Sequence, residues 1–185
     1  MKYAIFFVLA LGLIAAGSLS SFPTASAAIY MKITDATTTI EGDVTVKGHE
    51  KEIELNSFQF GASQTVSTSG GGGAGKATIS DITSSKSMDK SSPKLLQEVL
   101  SGDHLDKVEI FFTKSDSKGV QTYAHYTLNG ILISGYSVSS GGDLPSESIS
   151  LNFAKILFDF VPQNPDGTLG APIHAGWDFL ANKAA

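Results

Sequence analysis

Short runs of β-prone residues, each bounded by Gly, Ser, Asn or Asp, follow one another along most of the chain after Ala28. Such runs, with alternating apolar and polar residues, are typical of half-buried strands. The predicted strands are Ile29–Thr34, Glu52–Phe60, Lys76–Thr83, Lys107–Thr113, Val120–Leu128, Ile131–Ser139, Ser148–Phe160 and Gly176–Phe179. We therefore expect an all-β domain.

Two of these runs change the face on which their apolar residues lie. In Glu52–Phe60 the apolar residues pass from odd to even positions at Ser57, and in Ser148–Phe160 the same change falls at Ala154-Lys155. Strand side chains alternate faces with period two, so each change requires a bulge or a new covering layer. This favours a β-barrel or a bent two-sheet sandwich over a flat sheet.

The dipeptide Asn129-Gly130 separates two of the predicted strands. Asn-Gly is a strong signal for a type I′ turn, because both of its residues tolerate positive φ. The sequence therefore predicts a tight hairpin at this point.

A single short helix is indicated between Ser92 and Gly102. Ser92 suits the N-cap, Pro93 the first helical position and Gly102 the position just past the end. The residues expected to dock the helix on the sheet are Leu95, Leu96, Val99 and Leu100, which share one face.

The segment Gly61–Gly75 carries no charge and is rich in glycine. A loop of this length inside a compact domain is usually functional or disordered, and disordered segments usually carry charge. We expect a long Gly-rich protruding loop that becomes ordered on contact with a partner, with plain flexibility as the alternative.

The first 27 residues have the features of a secretory signal peptide. Lys2 is followed by the apolar run Ala4–Ala16, which is shorter than the ~20 residues of a membrane-spanning helix, and then by Ala25-Ser26-Ala27. We predict cleavage after Ala27, one domain at residues 28–185, and a secreted or periplasmic protein with no membrane association after cleavage. A retained helical anchor is the alternative.

Composition disfavours most binding and catalytic chemistry. The net charge is −5 and arginine is absent, which argues against a nucleic-acid partner. The absence of cysteine excludes disulfides and thiolate sites. The four histidines, at 49, 104, 125 and 174, lack metal-ligand spacing, and no Gly-x-Ser-x-Gly motif is present. We expect no catalytic residue, no metal and no cofactor.

Gly70–Lys76 (GGGGAGK) matches the pattern of a phosphate-binding loop. In that motif Ser or Thr follows the lysine and a helix begins there, but Ala77 occupies the position and a strand-like alternation follows. Nucleotide binding is not predicted.

Four blocks of the sequence together resemble one known family. They are Ile40–Phe60, Ser91–Leu95, Leu132–Asp143 and Pro145–Gln163, and the resemblance extends from about Ile29 to Asp178. The family is Hcp, the haemolysin-coregulated tube proteins of type VI secretion systems. The resemblance implies a two-sheet β-barrel with one flanking helix and a protruding loop, without catalytic residues or cofactors.

The resemblance also implies homohexameric rings that stack into a hollow tube. A spike protein caps such a tube, a contractile sheath surrounds it, and small effector proteins travel in its lumen. By analogy Gly61–Gly75 contacts a neighbouring subunit. The candidate interface residues are Ser67, Thr68, Ser69, Gly70, Gly71, Gly72, Gly73, Ser139, Ser140 and Gly141, which are small and uncharged. Such surfaces lie against another subunit with little cost in charge desolvation.

A signal peptide departs from this family, whose tubes are assembled in the cytoplasm. Either translation begins near Met31, which would permit cytoplasmic assembly, or the protein is a relative that is exported separately. Three functions therefore compete: a ring or tube subunit, an exported binding module with the same fold, and an enzyme. The enzyme would need a pocket that joins two carboxylates, or His125 beside an acid.

Overall fold

The computed structural model describes residues 26–66, 74–116, 119–165 and 167–185. Its elements are β1 (Ala27–Thr34), β2 (Ile53–Leu55), β3 (Ser57–Gln59), β4 (Ala62–Val66), β5 (Ala74–Ile79), β6 (Ile82–Ser87), α1 (Ser92–Ser101), β7 (His104–Asp116), β8 (Gly119–Ser139), β9 (Ser146–Phe160), β10 (Ile173–Asp178) and β11 (Lys183–Ala184). The expectation of a mostly-β chain with one short helix is confirmed.

Nine of the strands form one antiparallel sheet in the described part of the chain. Strands β2, β1, β7, β8, β9, β10 and β11 lie side by side in that order. The first half of β9 also pairs with β6, whereas its second half pairs with β10. The sheet therefore divides along β9 into two parts with different neighbours.

The described strands do not close into a barrel. Strand β2 pairs with β1, and β3, which follows it in the chain, pairs with β6 instead. The ladders are interrupted at Asn56, whose N–H donates to the Ser85 carbonyl at 2.7 Å. The change of apolar face predicted at Ser57 is therefore a change of partner strand.

The predicted Asn129-Gly130 hairpin is wrong. Strand β8 runs through this pair without reversing, and its ladder with β9 continues on both sides. Gly130 has a φ of 60°, but Asn129 is not among the residues with positive φ, and a type I′ turn needs two in succession. At Gly130 the buried residues of β8 change from even positions, such as Leu128, to odd positions, such as Ile131. This change of face lies opposite the one predicted at Ala154 in β9.

The core consists of inward-facing aliphatic side chains from both parts of the sheet and from α1. Its fully buried members include Met31, Ile53, Ile82, Leu95, Ile110, Leu128, Ile131, Ile149 and Leu151. In β9 the buried residues fall at odd positions up to Phe153 and then at Ile156, which confirms the change of face at Ala154-Lys155. Close packing of these side chains supplies the hydrophobic stabilisation of a fold without disulfides.

The helix α1 lies where the sequence places it, but its start differs in detail. Gly102 caps its C-terminus with a left-handed φ of 70°, as predicted. Ser91 rather than Ser92 is the N-cap residue, and its side chain makes no capping hydrogen bond. In the described part of the chain no helix is long and apolar enough to cross a membrane.

The apolar stripe of α1 is only partly buried. Leu95 has no accessible surface, whereas Leu96 is 42% and Leu100 77% exposed. The prediction that all four apolar residues dock on the sheet is therefore wrong for these two leucines.

A buried polar network joins α1 to the sheet. Lys86 of β6 lies with its Nζ 2.7 Å from Glu147 of β9 and 2.8 Å from Asp89, and the Ser92 hydroxyl donates to Glu147 at 2.9 Å. Tyr136 donates to the second Glu147 oxygen at 2.7 Å. Burial, reinforced by Glu147, raises the pKa of Tyr136 to about 12. Burial opposes ionisation of Glu147, but these hydrogen bonds outweigh it and lower its pKa.

Candidate subunit interface

The segment predicted as a protruding loop begins and ends as strand. Strands β4 and β5 pair antiparallel from Ala62 opposite Ile79, with an irregularity before Val66. They form a two-stranded sheet that pairs with no other described strand. Gly61–Gly75 is thus a β-hairpin at its base, and the predicted interface residues Ser67–Gly73 lie outside the described residues. Lone hairpins are marginally stable, and their free edges are available to another chain.

The phosphate-binding pattern Gly70–Lys76 leads into strand rather than helix. Its last residues belong to β5, which continues to Ile79. The helix N-terminus that would face a phosphate is therefore replaced by a strand.

The other predicted interface residues lie at the turn between β8 and β9. Ser139, Ser140 and Gly141 are all exposed. The Ser140 hydroxyl donates to the Asp143 carbonyl at 3.1 Å, which closes the turn on itself. The nearby Leu144 is 68% exposed. The turn is therefore accessible to a partner, and its contact with one stays a prediction.

Ser139 belongs to a larger neutral surface that sequence analysis missed. The outward-facing side chains on adjacent strands β3, β6, β9 and β8 are nearly all hydroxyls, and none of them is buried. We call this surface the hydroxyl face; its members are Ser57, Gln59, Thr83, Ser85, Ser87, Ser137, Ser139, Ser146, Ser148 and Ser150. The serines at every second position, 146, 148 and 150, were the sequence signal for such a surface. The strand order that brings hydroxyl side chains of neighbouring strands side by side is not visible in one sequence.

An apolar groove lies where the hairpin leaves the main sheet. Its aromatic lining residues are Phe60, Tyr126, Phe158, Trp177 and Phe179, with Ala62 and Ile79 at the hairpin base. All five rings are only half-buried. Tyr126 and Phe158 stack with their centroids 4.5 Å apart. We call this the aromatic groove, and the sequence, read strand by strand, gave no sign that these rings converge.

His125 and His174 flank Asp159 on one face of the sheet. His174 Nδ1 lies 2.6 Å from Asp159 Oδ1, and His125 Nδ1 lies 3.7 Å from Oδ2. His125 also stacks on Phe111 and lies 3.6 Å from Glu109. Burial lowers the pKa of His125, although both carboxylates oppose this.

This arrangement gives little support to the enzyme alternative. Both contacts of the His125 ring with carboxylates exceed hydrogen-bond distance, and in the described part of the chain the ring lies beside no nucleophile marked by a sequence motif. Among the described residues no three His, Asp or Glu side chains are placed to hold a metal ion. The contacts among His125, Asp159 and His174 are best described as polar contacts that link β8, β9 and β10.

Comparison with known proteins places the fold in one family. The family model described as "Type VI secretion system effector, Hcp" matches residues 30–160. The Pseudomonas aeruginosa protein named "Protein hcp1" is 34% identical over 115 residues, which are 60% of this chain and 70% of that protein.

Solved structures agree with this assignment. One, described as a type six secretion system protein, superposes with a TM-score of 0.78 at 26% identity and covers 86% of this chain and 100% of that one. Hcp1 from Salmonella typhimurium superposes with a TM-score of 0.70 at 26% identity, over 86% of this chain and 99% of its own. Since the family model spans almost all of the sheet from β1 to β9, this chain belongs to the Hcp family of type VI secretion proteins.

Proposed function

We propose that this protein is the subunit of a homohexameric ring that stacks with further rings into a tube. The match to the Hcp family over residues 30–160 carries the proposal. A patch that meets a different patch on the next copy closes into a ring by rotation, and a second such contact along the axis builds a stack. The role is structural, and no catalytic step is assigned to any residue.

We assign contacts between subunits to two neutral segments, Ser67–Gly73 and Ser139–Gly141. Support comes from the hairpin β4–β5, which leaves the main sheet without pairing to it, and from the exposed turn after β8. Both segments lack charged side chains, so contact with a neighbour desolvates little charge. A spike protein, a contractile sheath and small effector proteins in the lumen are the further partners if the tube is assembled in the cytoplasm, whereas a subunit exported by a signal peptide forms its rings without them.

We further propose that residues 1–27 are a signal peptide and that the mature protein begins at Ala28. Packing of the residues just before Met31 supports a start upstream of that methionine. Tyr30 is only 5% exposed and stacks on His49 with ring centroids 4.7 Å apart, and Ile29 lies opposite Phe112 in the sheet. A protein that began at Met31 would lack both contacts.

The signal peptide favours one alternative function, a separately exported Hcp-like binding module. Lys2, the apolar run and Ala25-Ser26-Ala27 occur in the order of an export signal. Removal of the host's contractile sheath separates the two functions. A subunit that leaves the cell only through the contractile apparatus would then stay inside and keep residues 1–27, whereas a separately exported module would still reach the periplasm or medium with Ala28 at its N-terminus.

Native mass spectrometry and electron microscopy of the protein beginning at Ala28 test the ring itself. We expect a hexamer mass and ring-shaped particles that form short stacks as the concentration rises. A strict monomer at high micromolar concentration would contradict the proposal.

A further inference from the structure

The core-facing side of β9 and β10 stays apolar beyond the packed core. Phe158 lies opposite Ala175, and Phe160 lies opposite Ile173, all on the same face. Phe160 is 39% and Ile173 62% exposed. These residues extend the aromatic groove into one continuous apolar surface. Such surfaces on soluble proteins usually mark a site of contact.

The groove also contains a hydrogen-bond donor without an acceptor. The indole Nε1 of Trp177 is buried and has no partner in the described structure. Buried indole N–H groups normally find an acceptor. A small rotation of the indole ring would bring this N–H to the surface, where a carbonyl of a covering polypeptide can accept from it and a hydrocarbon chain cannot. A protein therefore suits the groove better than a lipid.

Strand β10 presents a free edge next to this surface. Beyond β9, its ladder partner in the described chain is β11, which lies opposite Trp177 and Asp178. The remaining residues, Ile173–Ala175, have no strand on their outer side among those described. An open strand edge beside an apolar surface is a common docking place for another chain.

We propose that a second copy of this chain covers the aromatic groove and that this contact closes the ring. The inference rests on the proposed function, because the ring supplies the second copy, and it deepens that function by naming the surface. The groove wall includes Ala62, at the base of the hairpin assigned to a neighbouring subunit, so the two surfaces are continuous. Aromatic, charge-poor surfaces are typical of permanent interfaces.

This assignment separates two kinds of contact. The aromatic groove buries apolar area within a ring and stabilises it. The turn Ser139–Gly141 and the hydroxyl face offer small hydrated groups, which gain less from burial and suit contacts that form and dissociate.

Trp177 is the only tryptophan of the chain, so its fluorescence reports on the groove. A dilution series of the protein is followed by native mass spectrometry and by tryptophan emission in parallel. We expect the emission maximum to move to shorter wavelength in step with the hexamer fraction, because the neighbour excludes water from the half-exposed ring. Rings that form without any change in emission would overturn the inference and leave the proposed function intact. A protein that stays monomeric would overturn both.

Two matched substitutions locate the effect. Ile173→Glu places a carboxylate on the apolar surface at an exposed position, so the protomer keeps its circular dichroism spectrum. The ring weakens by at least about 100-fold in dissociation constant, because an unpaired charge is buried. Leu100→Glu makes the same chemical change on α1, at a side chain 77% exposed, and assembles like the unmodified protein. Intact rings from Ile173→Glu, or equal loss in both variants, would overturn the inference.

Discussion

Lys86 shows why a polar sequence pattern concealed a strand. The core side of β6 alternates Ile82, Ser84 and Lys86, all buried. The predicted strand Lys76–Thr83 was wrong in its bounds: it joined most of β5 to the start of β6 and ended before the buried Ser84 and Lys86. Polar residues at core positions are not a strand signal in local sequence. Lys86 can occupy a core position because its ammonium group pairs with Glu147 across the sheet. This partner is 61 residues away in sequence. Local periodicity cannot reveal a partner at that separation.

Removal of the cation from this network should destabilise the domain strongly. In Lys86→Met, the Glu147 carboxylate stays buried without its main counter-ion. We expect a loss of about 3–5 kcal/mol in the free energy of unfolding. Urea denaturation followed by circular dichroism measures it.

Lys90→Met is the matched control, because Lys90 pairs with Asp43 at 3.8 Å on the surface. Exposed pairs of this kind contribute about 0–1 kcal/mol. If both variants lost the same free energy of unfolding, the buried pair would contribute no more to stability than the exposed pair.

At the level of elements, α1 should depend on one leucine. Leu95 is fully buried, so Leu95→Ala leaves a cavity and is expected to cost about 2–5 kcal/mol. Leu100→Ala, on the same helix, removes a mostly exposed side chain and should change stability by no more than about 0.5 kcal/mol. Thermal or urea unfolding of the two variants tests this. A large loss from Leu100→Ala in the monomer would mean that the stripe is buried as the sequence suggested.

The sequence predicted most strands but not how they join. Alternation identified β1, β7 and β9, and the change of face at Ser57 correctly marked a structural break. Asn129-Gly130 led to a wrong prediction of a hairpin, because Gly130 has its left-handed φ inside a continuous strand. Ala154 packs against it. Whether an Asn-Gly pair reverses the chain depends on the residues that lie opposite it on the neighbouring strand. The local sequence does not show which residues these are.

The candidate interface was predictable only where it is local. The exposed, neutral turn Ser139–Gly141 follows from composition and turn chemistry. The hydroxyl face and the aromatic groove arise from strand order, which brings β3, β6 and β9 together on one side and β8, β9 and β10 on another. A single sequence lists the serines and aromatic residues without showing these juxtapositions.

At the level of the whole molecule, the surfaces suggest how a ring could persist while a stack remains reversible. One surface is apolar with five half-buried rings, and the others carry hydroxyls and glycine without charge. Full burial of one large apolar side chain contributes roughly 1.5–3 kcal/mol, whereas a hydrogen bond exchanged with water contributes about 1 kcal/mol net. Rings held by the first and stacks held by the second would differ in stability.

Gly141→Glu tests this division at the turn between β8 and β9. An added Cβ at Gly141 meets no atom within 4 Å, and its φ is not positive, so the protomer should fold normally. Each subunit then places an unpaired carboxylate in the axial contact, and burying it against the different, neutral patch of the next ring costs desolvation free energy. We expect intact rings by native mass spectrometry and a loss of stacks by electron microscopy. Gly141→Ser, which adds a side chain without charge, should keep its stacks. If the glutamate variant stacked normally, the turn would not lie at the axial contact, and if it lost its rings as well, the turn would belong to the ring interface instead.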